Sequence, residues 1–169
     1  MLLRDMEKTK YIDLKYGGRA LVDASDYEYL NQFKWKENPS KYTDYCVRED
    51  YSSGRRMKLG MHREIMKPKK GVMIDHINHN GLDNRRVNLR FCTKSQNAMN
   101  RPAPSHNTSG WKGVSYSKKD GAYEAYITLE QKRRFLGVFK NKDDAAMAYN
   151  DAAQRLHREF AYYNVSEFN

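Results

Sequence analysis

The chain has 169 residues, with 31 Lys and Arg against 21 Asp and Glu, for a formal net charge of +10. That length holds one domain comfortably or two small ones sharing it. Such a basic surplus favours a polyanionic partner, because each Lys or Arg near a phosphate releases counterions. The two cysteines, Cys46 and Cys92, form no C-x-x-C and no paired framework, which argues against a disulfide scaffold or a zinc knot and for a reduced, intracellular protein. Arg4 and Asp5 come too early for a signal peptide, and no apolar run approaches membrane-spanning length. A soluble, cytoplasmic protein with no membrane partner is expected.

In chain order, residues 10–70 read as a small α+β unit. Tyr11 to Leu14 and Ala20 to Val22 are short alternating runs around Tyr16-Gly17-Gly18, a hairpin pattern. Ser25-Asp26-Tyr27-Glu28 has capping-box spacing and predicts a short helix carrying Tyr29, Leu30 and Phe33 and ending near Trp35. Tyr42 to Glu49 and Arg55 to Met61 read as strands joined at Tyr51-Ser52-Ser53-Gly54, and His62 to Met66 as a helical turn stopped by Pro68. Val72 to Ile74 and Leu89 to Cys92 predict two strands around a polar loop, with Thr93 capping a helix that carries Ser95 to Asn100. Some thirty residues cannot bury a core, so this segment must pack on the preceding one.

Residues 102–109, with two prolines and small polar residues, read as a linker between an N-terminal unit, 1–101, and a second module, 110–165. In that module Gly113 to Tyr116, Tyr123 to Leu129 and Arg133 to Val138 alternate like three strands, with turns at Asp120-Gly121 and Gln131-Lys132. Asn141 caps a helix whose first turn holds Asp143 and Asp144, which suits the helix dipole. Ala145, Tyr149, Ala152, Ala153 and Leu156 form its apolar stripe. The expected class is therefore α+β throughout.

The chemistry lies in the loop between Val72-Met73-Ile74 and Leu89-Arg90-Phe91-Cys92. It reads Asp75-His76-Ile77-Asn78-His79-Asn80-Gly81-Leu82-Asp83-Asn84-Arg85-Arg86-Val87-Asn88-Leu89-Arg90, with Asn97 beyond. A carboxylate beside an imidazole, with amides further on, can set a hard cation next to a general base, the parts needed to cut a phosphodiester with one metal. Oxygen donors favour Mg²⁺ or Mn²⁺ over zinc. A zinc site built from His76, His79, Cys92 and His62 lacks a cysteine pair at ligand spacing, and no zinc is expected. His79, His106 and His157 read as surface or loop histidines.

This string resembles the HNH (ββα-metal) nuclease motif in its Asp-His…Asn…Asn form. The resemblance implies two antiparallel strands and a helix around one divalent ion per active site. Asp75 would be the carboxylate ligand, Asn97 the amide ligand and His76 the general base. Asn88 would hold the loop closed through backbone hydrogen bonds and keep His76 oriented. Asn100, on the same helical face as Asn97, would support the ligand shell or touch the DNA backbone. Arg85, Arg86 and Arg90 read as phosphate contacts beside the cleft or, equally, as a solvated face. The products would carry 5′-phosphate and 3′-hydroxyl ends.

Trp111 to Tyr116, Tyr123 to Ile127, Phe135 to Phe139, Asp144 to Ala153 and Phe160 to Asn164 succeed one another in a pattern similar to the Apetala-two/ethylene-response-factor (ERF) DNA-binding domain. That family lays a three-stranded sheet in the major groove of double-stranded DNA. The resemblance implies a DNA face of Lys112, Ser115, Ser117, Tyr126, Thr128 and Arg133, with Lys118, Lys119, Lys132 and Arg134 nearby. From Lys112 to Lys140 there are seven Lys or Arg and three Asp or Glu, while the following helix starts acidic, which puts the basic surface on the sheet. Ser115, Ser117 and Thr128 stand where plant members usually carry arginine, so the plant target is not expected to transfer.

The N-terminal part, including Leu21 to Leu30 and Trp35, also resembles the leader of phage HNH proteins. Together these features predict a site-directed, homing-type DNA endonuclease from a phage or mobile element, acting in a bacterial cytoplasm. A monomer would nick, and a dimer on DNA or a second encounter would be needed to break both strands. The alternatives are a DNA-binding regulator with an inactive nuclease fold and a structure-specific repair nuclease.

Overall fold

Two left-handed glycines, Gly17 (φ +98°) and Gly18 (φ +79°), turn β1 (Thr9–Asp13) back onto β2 (Arg19–Asp23) as an antiparallel hairpin. Residues 8–165 of this computed structural model are described, and the reading of Met1 to Asp5 lies outside them. Helix α1 (Ala24–Leu30) follows β2 directly. Its N-cap is Asp23 rather than Ser25, and the Asp23 carboxylate is taken by the backbone N–H of Arg86 (2.8 Å) instead of capping the helix. The helix stops at Leu30, short of Trp35, and the Leu30 carbonyl accepts from the buried Trp35 indole N–H (2.7 Å) as well as from Phe33 N–H (3.2 Å).

A second sheet, ordered β3-β4-β5, is built from Lys36–Asn38, Tyr45–Asp50 and Met57–Gly60. Strand β3 has no apolar alternation and was invisible to periodicity. Helix α2 (Met61–Met66) ends at Lys67 in the left-handed conformation (φ +44°), immediately before Pro68. Ile12, Leu14, Ala20, Val22, Leu30, Trp35, Cys46, Met61 and Ile65 share one core with Leu89. As expected, the loop-bearing segment does not stand alone. Its two strands, β6 (Met73–His76) and β7 (Leu89–Cys92), belong to the same unit.

The chain divides into two compact units, Met1–Thr93 and Lys94–Asn169. The boundary falls before helix α3 (Lys94–Asn100) rather than after Arg101, so α3 belongs to the C-terminal unit. The stretch read as a linker is folded. The Asn107 amide donates to the Trp111 carbonyl (2.9 Å) and accepts from Gly110 N–H (3.0 Å), while the Ser109 hydroxyl donates to the Val114 carbonyl (2.8 Å). These side chains replace apolar packing with local polar bonds.

Beyond it, β8 (Val114–Ser117), β9 (Ala122–Leu129) and β10 (Lys132–Phe139) form an antiparallel sheet ordered β10-β9-β8. Helix α4 (Lys142–His157) packs on it and begins where the Asn141 side chain accepts from Asp143 N–H (2.9 Å). Its small buried residues, Ala145, Ala146, Ala152 and Ala153, bring helix and sheet close around Val114, Ala125, Ile127 and Tyr149. A Cβ on Gly113 (φ +75°) would overlap the Tyr149 ring and the Tyr126 carbonyl, so this approach needs glycine. The whole is α+β. Among the described residues no helix is long and apolar enough to cross a membrane.

Candidate active site

Asp75 and His76 end strand β6, held against β7 in the register Asp75↔Arg90 and His76↔Leu89. Both are buried, at 7% and 5% exposure. The polar loop that follows is closed by its own asparagines. Asn88 accepts from the backbone N–H of Asn78 (2.9 Å) and donates to the Asp83 carbonyl (2.8 Å), and its own carbonyl accepts from Ile77 N–H (2.9 Å). Asn78 and Asn80 bond the backbone two residues on, at Asn80 and Leu82. The loop is then stitched to β2: Leu21 N–H donates to the Leu82 carbonyl (2.9 Å), and Asn84 N–H to the Leu21 carbonyl (2.7 Å). Gly81 passes so near β4 that a Cβ would sit 2.4 Å from the Asp44 carbonyl. Only glycine fits there.

His76 is oriented by Asn84, a residue whose role the sequence did not disclose. Asn84 is fully buried, and its Oδ1 lies 3.4 Å from His76 Nε2. Its Nδ2 donates to the Gly81 carbonyl (3.2 Å), which fixes the amide so that Oδ1 faces the imidazole. A proton on Nε2 would find that acceptor and leave Nδ1 as the basic nitrogen. The only signal available was Asn84's place inside Asp83-Asn84-Arg85, which does not reveal burial.

A second imidazole stands beside it. The His62 and His76 rings meet edge to face at 5.3 Å between centroids, and Tyr45 lies 5.7 Å from each. His62 Nδ1 is buried and has no hydrogen-bond partner among the described residues. Burial, then the neighbouring His76, push the His62 pKa down to about 3. Burial lowers that of His76 below its ordinary 6.5 against the opposing pull of Asn84, Asp75 and Asp83. Both rings are thus neutral at neutral pH. The sequence placed His62 at the start of a helical turn and offered it as a zinc donor to set aside. Its contact with His76 is tertiary.

The three loop arginines are all engaged by carboxylates. Arg90 Nε and Nη2 donate to Asp75 Oδ2 (2.9 and 2.7 Å). Arg85 forms a two-pronged pair with Asp83 (2.8 and 2.6 Å), and Arg86 another with Asp26 (2.8 and 2.7 Å). Buried Asp75 and Asp83 require an opposite charge, which Arg90 and Arg85 supply, while Arg86 keeps an exposed side chain.

In the C-terminal unit, Asn97 is half-buried on α3 and Asn100 is buried, not a solvent-facing contact. On the sheet, Val114, Ala125 and Ile127 point to α4, so the register places Ser115, Ser117, Tyr126, Thr128 and Arg133 on the opposite face. Arg133 stacks its guanidinium 3.5 Å from the Tyr126 ring centroid. The Ser117 hydroxyl is spent on Asp120 (2.6 Å). Lys118, Lys119, Lys132 and Arg134 are exposed, with Arg134 opposite Ile127 on the helix-bearing side. Lys112 departs from expectation, because its ammonium donates to the backbone carbonyls of Ala98, Met99 and Arg101. His157, expected at the surface, is buried and bonded through Nε2 to the Thr128 carbonyl (2.8 Å).

Residues 67–99 match the family described as HNH endonuclease. An uncharacterized HNH endonuclease of Acanthamoeba polyphaga mimivirus is 28% identical over 158 residues, covering 90% of this chain and 78% of that protein. Protein 3.8 of Escherichia phage T7 is 35% identical over 97 residues, covering 56% of this chain and 77% of its own length. The chain belongs to the HNH endonuclease family. No solved structure matches it.

This HNH endonuclease is a nuclease, and its substrate is DNA. HNH nucleases generally depend on a divalent metal. Among the described residues no three His, Cys, Asp or Glu side chains gather as a metal site. Asp75 carries a carboxylate and Asn97 an amide oxygen, each a hard donor of the kind that suits Mg²⁺ or Mn²⁺. The two residues belong to different units.

Proposed function

We propose that this HNH endonuclease is a Mg²⁺- or Mn²⁺-dependent, site-directed enzyme of the homing type, carried by a phage or mobile element and acting in a bacterial cytoplasm. Asp75 and Asn97 would hold the ion, and His76 would be the general base. The observation that carries this reading is the His76 imidazole, buried, neutral and fixed by Asn84 beside the Asp75 carboxylate. A binding-only protein gains nothing from burying a neutral base there, which disfavours the inactive-regulator reading.

In the reaction, His76 Nδ1 takes a proton from water as it attacks the scissile phosphorus. The Nε2–H bond to Asn84 then supports the imidazolium that forms. The bound ion would supply Lewis-acid stabilisation of the phosphate charge and the departing 3′-oxygen. Asn88 keeps the loop closed, and Arg90 holds the Asp75 carboxylate from the paired strand. The C-terminal unit reads DNA as an Apetala-two/ERF-like module, with Ser115, Tyr126, Thr128 and Arg133 on its outward face. A single site per chain makes the monomer a nickase.

Supercoiled plasmid incubated with pure protein and Mg²⁺ tests the mechanism. Wild type should convert it to open circles, chelation should stop the reaction, and His76→Ala should abolish it while DNA affinity stays within a few-fold. Cutting that survives chelator, or a fully active His76→Ala, would defeat the assignment.

A further inference from the structure

Helix α3 has seven residues, too few to be stable by itself. Its last carbonyls have no partners within the helix, and Pro102 follows immediately after Arg101. Those carbonyls are gathered by one side chain. The Lys112 ammonium accepts none and donates to all three of Ala98, Met99 and Arg101, with the Ala98 and Arg101 bonds at 3.1 and 2.6 Å. It also lies 5.3 Å from the centroid of the Tyr162 ring. A cation at the negative end of the helix dipole is the favourable arrangement.

Lys112 is itself clamped. Its backbone N–H donates to Asn164 Oδ1 (2.8 Å), and its carbonyl accepts from Asn164 Nδ2 (3.0 Å). Asn164, buried at 7% exposure, is paired in turn with Asn150 of α4 by two further bonds of 2.7 and 2.8 Å. A continuous line of charge-assisted and amide bonds therefore runs from the long helix α4 through Asn150, Asn164 and Lys112 to the end of α3. That is more than a solvated lysine or a phosphate contact would need. Ordering a lysine this way costs side-chain entropy, which the three carbonyl bonds and the dipole offset.

We propose that Lys112 is a positioning residue of the nuclease: it locks the C-terminal end of α3 to α4 and thereby sets the helix that presents Asn97. The C-terminal unit then does two jobs, binding DNA and holding one of the two ligand-bearing elements in place. The inference rests on the reading of Asn97 as a metal ligand, and the experiment separates the two.

Full-length wild type, Lys112→Met, Lys112→Arg and Asn97→Ala are compared by plasmid nicking as a function of Mg²⁺ concentration. DNA binding in chelator is measured in parallel over a range of salt. Lys112→Met should raise the Mg²⁺ needed for half-maximal rate by about tenfold, as loss of a supporting residue does, with DNA affinity within twofold and its salt slope unchanged. Lys112→Arg, which still presents a cation to the carbonyls, should recover most of that loss. If Lys112→Met instead weakens binding, reduces the salt slope by about one and leaves the Mg²⁺ requirement alone, Lys112 is a phosphate contact and the proposal fails. Should Lys112→Met not fold, Asn164→Ala releases the clamp while keeping the ammonium, and the same shift is required of it. A wild-type Mg²⁺ curve for Asn97→Ala would sink the ligand assignment by itself, whatever Lys112→Met does.

Discussion

His76 shows how much of a residue's chemistry comes from its neighbours. Its Asp75 partner follows from adjacency in the chain, whereas its tautomer depends on the buried Asn84 amide, eight positions on and folded back against the ring. Asn84→Ala removes the acceptor at Nε2 and lets the proton move to Nδ1, the nitrogen required as base. The single-turnover nicking rate should drop by about two orders of magnitude, within the range that general-base catalysis supplies, with DNA affinity unchanged; a wild-type rate would exclude Asn84 as the orienting group. His62 makes a prediction about pH. Its folded pKa is held near 3, against 6.5 ordinarily, so between those values the unfolded chain binds a proton that the folded one refuses. Stability is therefore full above pH 6.5 and declines as pH falls, by up to about 1.4 kcal/mol per pH unit for each such histidine. Urea titrations from pH 7.5 to 4.5 should show this slope, and His62→Phe, which keeps a ring against His76, should flatten it. An equal slope in both proteins would show that His62 is protonated in the folded state.

At the scale of elements, periodic segments were legible and polar ones were not. The β1–β2 hairpin, the β8-β9-β10 succession and helix α4 with its Asn141 cap follow the alternation and turn residues that predict them. Strand β3 escaped because Lys36-Glu37-Asn38 has no apolar alternation. Tertiary partners make it a strand, through the β4 register, Lys36 on Glu49 (2.6 Å) and Lys58 on Asn38 (2.9 Å). The N-terminus of α1 was misplaced for a related reason. A capping box at Ser25 is locally sound, but Asp23 and Asp26 are claimed by Arg86, some sixty residues away in the chain. Local propensity lost to a long-range ion pair. The supposed linker fails similarly, since Asn107 and Ser109 are turn formers whose partners, Trp111 and Val114, lie just downstream.

For the whole molecule, the charge surplus and the two-unit division set the terms of DNA binding. Many of the cations are internally paired, among them Arg48, Arg85, Arg86 and Arg90, so net charge overstates the number that can meet phosphate. Arg133, stacked on Tyr126 on the outward face of the sheet, is a better candidate. Arg133→Ala should weaken DNA binding and lower the salt slope by about one, as removal of one phosphate contact does; an unchanged slope measured from 50 to 300 mM salt would remove Arg133 from the interface. Adjacency and periodicity were enough to write down the α+β class and the Asp75-His76 pair, because each depends on spacing within a short stretch of chain, whereas the closing role of Asn88 and the outward strand positions were implied by the family resemblances. Packing alone could assign Asn84 to the base, set His62 against it, bind the loop arginines to carboxylates and turn Lys112 inward onto α3. Those arrangements join residues far apart in the chain, where burial leaves a charge or an amide no choice but the partner the fold supplies.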